Sequence, residues 1–221
     1  MPTKSPSKGD VGWKIITSAF DLASQQGWRN VTLAAIARES GQKLDRVATE
    51  FPSKQAILAA FNRRIDAETL KERIEDDGTV KDRLFELIMR RLDALAPHRE
   101  AIRAILRDTI GVDPIASMLG LCTLHRSMVI ILEAAGVSAS GPIGRLRANA
   151  LGAIYLRTLS FWLREGDGTN DRVMADLDKS LSCAERLASS LGVRARWRRR
   201  SEPSDYEAGA ATAADSADSP G

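Results

Sequence analysis

The chain has 221 residues, 43% hydrophobic and 28% charged, with 32 Lys and Arg against 29 Asp and Glu for a net charge of +3. This composition excludes a disordered or collagen-like chain and fits a globular protein, as one large domain or one small and one medium domain. Aromatic residues are only 5%, and the abundance of Ala, Leu, Arg and Glu favours helix over sheet.

Residues 1–9, rich in Pro, Ser and Lys, read as a disordered arm. A first helix is predicted over 10–26, with Trp13, Ile16, Ala19, Phe20 and Ala23 on one face and Gly27 as its stop. Trp28 and Val31 follow as apolar plugs. Thr32 is a suitable N-cap for a short helix over 33–40, which Gly41 breaks. A second short helix fits 43–50. Pro52 then stops the chain, and Ser53 caps a longer helix over 54–75. Five further helices are expected: 79–95, 97–107, 114–135, 142–165 and 169–191. Asp113 and Pro114 form the cap and first position of the third of these. No segment alternates at period two, so the expected fold class is all-α. From residue 201 the composition again reads as disordered.

The charge is uneven. Residues 1–54 hold eight Lys or Arg and five acids, residues 55–193 hold nineteen of each, and residues 194–200 hold five Arg around Trp197. The excess positive charge therefore lies on the N-terminal module and one tail segment, where an anionic partner would find it. No apolar run approaches the roughly 20 residues that cross a bilayer. The N-terminus lacks the apolar core of a signal peptide. Cys122 and Cys183 fit no disulfide or metal spacing and are expected to be reduced, packed thiols in a cytoplasmic protein.

Two short helices joined by a glycine turn, after one longer helix, describe a three-helix DNA-binding module whose last helix enters the major groove. The order Gly27-Trp28, Val31-Thr32-Leu33, Ile36-Ala37, Ser40-Gly41 and Phe51-Pro52-Ser53-Lys54 resembles the N-terminal domain of TetR-family repressors over residues 13–62. The resemblance implies an N-terminal helix-turn-helix domain at 10–54 and a helical effector-binding and dimerisation domain at 55–192, with a basic segment and tail at 193–221. It also implies that Thr32 caps its helix and touches a phosphate, that Lys54 contacts a phosphate, and that Phe51 locks the third helix. Members usually carry aromatic residues just before that Phe, where this chain has Ala48 and Glu50. Lys43, Arg46 and Thr49, at i, i+3 and i+6, share a face and with Gln42 are the candidates for reading base edges. Asp45 and Glu50 bring negative charge to the same helix.

The C-terminal part offers no catalytic arrangement, no metal spacing and no phosphate-binding loop. No cofactor is expected, and His98 and His125 read as surface or capping residues. The helix bearing Met118, Leu119, Leu121, Leu124, Met128, Ile130, Ile131 and Leu132 is apolar around much of its circumference, as a helix buried on several sides is. Core packing explains it. So does an apolar pocket, for which Met118, Leu121 and Met128, with Tyr155 and Trp162, are the ligand candidates. On the resemblance, the partners are double-stranded operator DNA, a small apolar effector and a second copy of the chain through helices 142–165 and 169–191. Val173, Leu177, Leu181, Ala184 and Ala188 form a stripe suited to that last contact. The leading reading is a ligand-responsive repressor. A second resembles the TetR-like lipid-binding accessory protein of coenzyme Q biosynthesis. It would pair the atypical third helix with a basic, Trp-bearing tail at a membrane surface.

Overall fold

A computed structural model describes residues 8–72, 78–165 and 170–190, and these are helical without a strand among them. The helices are α1 (Lys8–Gln26), α2 (Leu33–Ser40), α3 (Leu44–Glu50), α4 (Lys54–Thr69), α5 (Val80–Leu95), α6 (Arg99–Thr109), α7 (Pro114–Ala134), α8 (Gly141–Arg164) and α9 (Asn170–Ser190). Most of the expected arm, and the whole of the expected tail with its basic segment, lie outside the described residues.

Local chemistry sets several of the boundaries. Thr32, Ser53 and Asp113 each accept a hydrogen bond from the backbone N–H three residues on, at 3.1, 3.2 and 2.9 Å. Thr79 and Asp82 form a reciprocal capping box at the start of α5. Two 3-10 turns, Trp28–Asn30 and Ala96–His98, were not anticipated. The second takes up Pro97, so α6 begins two residues after the proline. The fourth helix ends at Thr69 and not at 75.

The buried apolar residues form one continuous cluster, from Ile15, Phe20, Ile36 and Val47 at the N-terminal end to Leu87, Met128, Leu159 and Leu177 in the bundle. Inside it, Arg91 of α5 is almost fully covered and forms an ion pair with Asp66 of α4. Its guanidinium also donates to Asn62 Oδ1 at 3.1 Å and to the Tyr155 hydroxyl at 3.2 Å, while Ser127 Oγ donates to Asp66 Oδ2 at 2.9 Å. One buried charge pair thus joins α4, α5, α7 and α8. An unpaired charge there would be costly, and these hydrogen bonds remove that cost. Arg99 and Arg103 of α6 donate to the carbonyls of Trp162, Leu163 and Glu165 at the end of α8. Their positive charge suits that helix terminus.

Four expectations are corrected. The α7 helix is seated only along its C-terminal half, through Ser127, Met128, Ile131 and Leu132. Near its start, Ile115, Met118 and Leu121 are 75%, 67% and 56% exposed. By length and composition the same helix does reach a membrane span. Its packing against α4 and α8 seats it in the bundle. On α9, Val173, Leu177 and Leu181 are buried within their own protomer, where α9 packs on α5 and α8. They are core and are not available to a second copy. Both cysteines are exposed and free, not packed.

Candidate nucleic-acid interface and effector groove

The helix-turn-helix is assembled by backbone geometry. Gly41 holds φ at 66° in the left-handed region and its N–H donates to the carbonyls of Ala37 and Arg38, closing α2 and turning the chain into α3. The α3 helix is held to the body by Val47, fully buried, and by Phe51 just after its end, while its other six residues are exposed. With Val47 inward, Asp45 and Thr49 lie about 160° round the helix from it, and Arg46 and Ala48 about 100°. The outermost position therefore includes an acid. Asp45, noted in the sequence for bringing negative charge to this helix, is exposed on the face opposite Val47. An acid there can accept from the amino group of cytosine. Glu50 differs, because its carboxylate lies back against α1, within 3.7 Å of where a Gly12 side chain would begin.

Among the expected DNA contacts, Lys43 is at the N-cap of α3 and Arg46 and Thr49 are exposed on it, with Gln42 half-buried before it. The Thr49 hydroxyl donates to the Asp45 carbonyl at 2.7 Å, leaving its lone pairs outward. Thr32 is exposed and caps α2. Lys54 is placed otherwise than expected for a free phosphate ligand. Its ammonium donates to the Trp28 carbonyl at 2.7 Å and lies 4.8 Å from the centre of the Trp28 ring. Burial pushes its pKa below the ordinary lysine value, against the attraction of Asp108.

Asp108 at the end of α6 completes this junction. Its carboxylate accepts from the Arg29 N–H, from the Trp28 backbone and from the Arg107 side chain, so its pKa is held below the ordinary carboxylate value, chiefly by the Arg29 bond. No sequence signal announced this residue, which lies 79 residues from its partner. Gly27, preceding the turn, has φ 80° and ψ 148°, a combination almost confined to glycine.

His98 lies edge-on to Trp13, Phe20 and Phe61, at ring-centre distances of 5.9, 5.5 and 5.2 Å. It is half-buried where α1 and α4 meet the turn before α6, not a surface or capping residue. Burial lowers its pKa, opposed by Asp21. His125 pairs through Nδ1 with Asn149 Oδ1 at 2.8 Å, tying α7 to α8. Among the described residues no group of three or more His, Cys, Asp or Glu is placed to hold a metal.

The five ligand candidates are not brought to one cavity. Met118 and Leu121 face solvent, Met128 is fully buried, Tyr155 is bonded to Arg91, and Trp162 lies under the Arg99 guanidinium at 4.4 Å. An open groove of about 690 Å³ lies instead between α4 and α7, lined by residues that include Ala59, Arg63, Asp66, Leu119, Cys122 and Arg126.

Comparison with known proteins accords with this architecture. Residues 15–61 match the profile of the TetR N-terminal domain, described as bacterial regulatory proteins of the tetR family. An uncharacterized HTH-type transcriptional regulator of Mycobacterium tuberculosis H37Rv is 25% identical over 159 residues, covering 68% of this chain and 82% of that protein. The TetR transcriptional regulator of Nitrosomonas europaea superposes with a TM-score of 0.66 at 27% identity, covering 80% of this chain and 98% of the other. A TetR regulator of Rhodococcus sp. RHA1, at 17% identity with 80% and 97% covered, shares the fold with a TM-score of 0.59. The relatives named here are transcriptional regulators by description, and the lipid-accessory reading gains no support from them. Residues 15–61 therefore match the N-terminal domain of the tetR family of bacterial regulatory proteins, and over most of its length the chain is similar in fold to TetR transcriptional regulators.

Proposed function

We propose that the protein is a ligand-responsive repressor, acting in the cytoplasm as a homodimer on double-stranded operator DNA. The observation that carries this reading is the exposed surface of α3, held to the body through Val47 and Phe51. Arg46 and Lys43 are the candidates for guanine, with Gln42 and Thr49 beside them, and Thr32 holds a phosphate at the start of α2. Lys54 donates one ammonium N–H to the Trp28 carbonyl and keeps two further donors with which to hold a phosphate. The dimer forms through α8 and α9, using the faces left outside the core: Ile143 and Leu146, 50% and 63% exposed, and Leu187, 59% exposed. A small effector shifts the dimer toward a spacing in which the two α3 helices no longer match successive major grooves.

Selection from random duplexes, followed by fluorescence anisotropy on the selected site, tests the reading. Arg46→Ala is expected to cost about 1–3 kcal/mol and relax one base position per half-site. Sequence-blind binding that is indifferent to Arg46 rejects it.

A further inference from the structure

The groove between α4 and α7 has a charge pattern that its apolar walls do not explain. Small residues of α4, among them Ala59, leave the space, and Leu119 and Ile130 of α7 face it. Arg63 on α4 and Arg126 on α7 both line this groove. Among the described residues neither carries an ion pair or a hydrogen bond from its guanidinium. The contrast is with Arg91, Arg99 and Arg103 of the adjoining helices, each engaged by a carboxylate or a carbonyl. The acid lining the groove, Asp66, has both oxygens occupied, one by Arg91 and the other by the Ser127 hydroxyl. The groove therefore holds two unneutralised guanidinium groups, one on each wall, beside apolar surface.

We infer that this groove binds an amphipathic carboxylate, its anionic head between Arg63 and Arg126 and its apolar body along Ala59, Leu119 and Ile130. A guanidinium recognises a carboxylate through paired N–H donors, and an apolar body supplies the rest of the binding free energy by leaving water. This narrows the small apolar effector to one with an acidic end, and it rests on the ligand-responsive reading above. The position carries a consequence for regulation. Arg63 belongs to α4, which follows α3 directly, and Arg126 adjoins Ser127, whose hydroxyl ties α7 to α4. A ligand clamped between the two arginines fixes the separation of α4 from α7, and with it the placing of α3.

The test uses the full chain with Cys183→Ser, which leaves Cys122 in the groove as the reporter thiol. Decanoate is the probe, with decan-1-ol and decyltrimethylammonium as neutral and cationic counterparts. Decanoate is expected to bind in calorimetry and to slow labelling of Cys122 by a thiol reagent, and the cation to do neither. Arg63→Gln with Arg126→Gln should weaken decanoate about tenfold or more, as loss of charge-assisted hydrogen bonds requires, at unchanged melting temperature. Equal binding of all three chains, decanoate binding that leaves Cys122 unprotected, or affinity indifferent to both arginines overturns the inference. Operator affinity is measured in parallel. Decanoate that fills the groove without changing operator affinity upholds the site and rejects the ligand-responsive reading. Operator release by some other compound, with decanoate inert, upholds that reading and rejects the site.

Discussion

The Asp108 carboxylate accepts a hydrogen bond from the Arg29 backbone N–H at 3.2 Å, joining the last turn of α6 to the 3-10 turn between α1 and α2. Asp108→Ala is expected to speed hydrogen exchange at the Trp28 and Arg29 amides and to lower the melting temperature. The folded-state pKa of Asp108 is depressed. Its contribution is therefore present above the unfolded carboxylate value, about 3.9, and is lost as pH falls through the lower folded value. Wild type and variant should then converge below about pH 4. Equal exchange rates at pH 7 would show that the bond does not hold the turn.

Gly27 is constrained twice. Its backbone has positive φ, and a Cβ there would stand 2.9 Å from Asp108 Oδ2. Gly27→Ala is expected to destabilise by about 1–3 kcal/mol in urea titration. Gly120, on exposed α7 with open space around it, should respond in the opposite sense, Gly120→Ala stabilising by about 0.5–1 kcal/mol. The same sign at both positions would contradict the assigned conformations.

The lowered pKa of His98 makes stability depend on mildly acidic pH. The neutral ring is favoured in the aromatic cage, so its contribution is present above the unfolded histidine value of about 6.5. It is lost as pH falls from there through the lower folded value. Thermal melts between pH 7.5 and 5 should show wild type losing stability more steeply than His98→Phe. Parallel slopes would place the titration elsewhere.

The two faces of the final helix pair give separable outcomes. Leu181 is 4% exposed inside its own protomer, so Leu181→Ala should cost about 2–5 kcal/mol of protomer stability. Leu146→Glu, on the uncovered face of α8, should leave the fold intact and weaken self-association in sedimentation. A folded Leu146→Glu protein that remains fully dimeric would move the interface away from that face.

Features governed by a few neighbouring residues were legible in the sequence. The caps at Thr32, Ser53 and Asp113, the breaks at Gly27 and Gly41, and the inward Trp28 and Val31 all follow from chemistry within one helical turn, while the inward Phe51 follows from the family resemblance. Features that depend on what covers a surface were not. Spacing identified an apolar stripe on α9, but the same stripe suits a partner copy or the chain's own α5 and α8. Composition marked α7 as apolar without saying which half would be covered. Lys54 opens its helix where a phosphate ligand belongs, yet the acceptor that holds it, the Trp28 carbonyl, is 26 residues away. Arg63 and Arg126 resemble any solvated arginine until α4 and α7 are set side by side.

The attachment of α3 bears on how such a regulator changes. Six of its seven residues are exposed, and exposed substitutions of this kind usually alter stability by within about 0.5 kcal/mol. The replacement of the customary aromatics by Ala48 and Glu50 illustrates the latitude. Under the proposed function, operator preference can drift through a series of single substitutions, each leaving a folded protein, so long as Val47 and Phe51 are kept. Binding preference and folding are written on different sides of one short helix, and selection can revise either without disturbing the other.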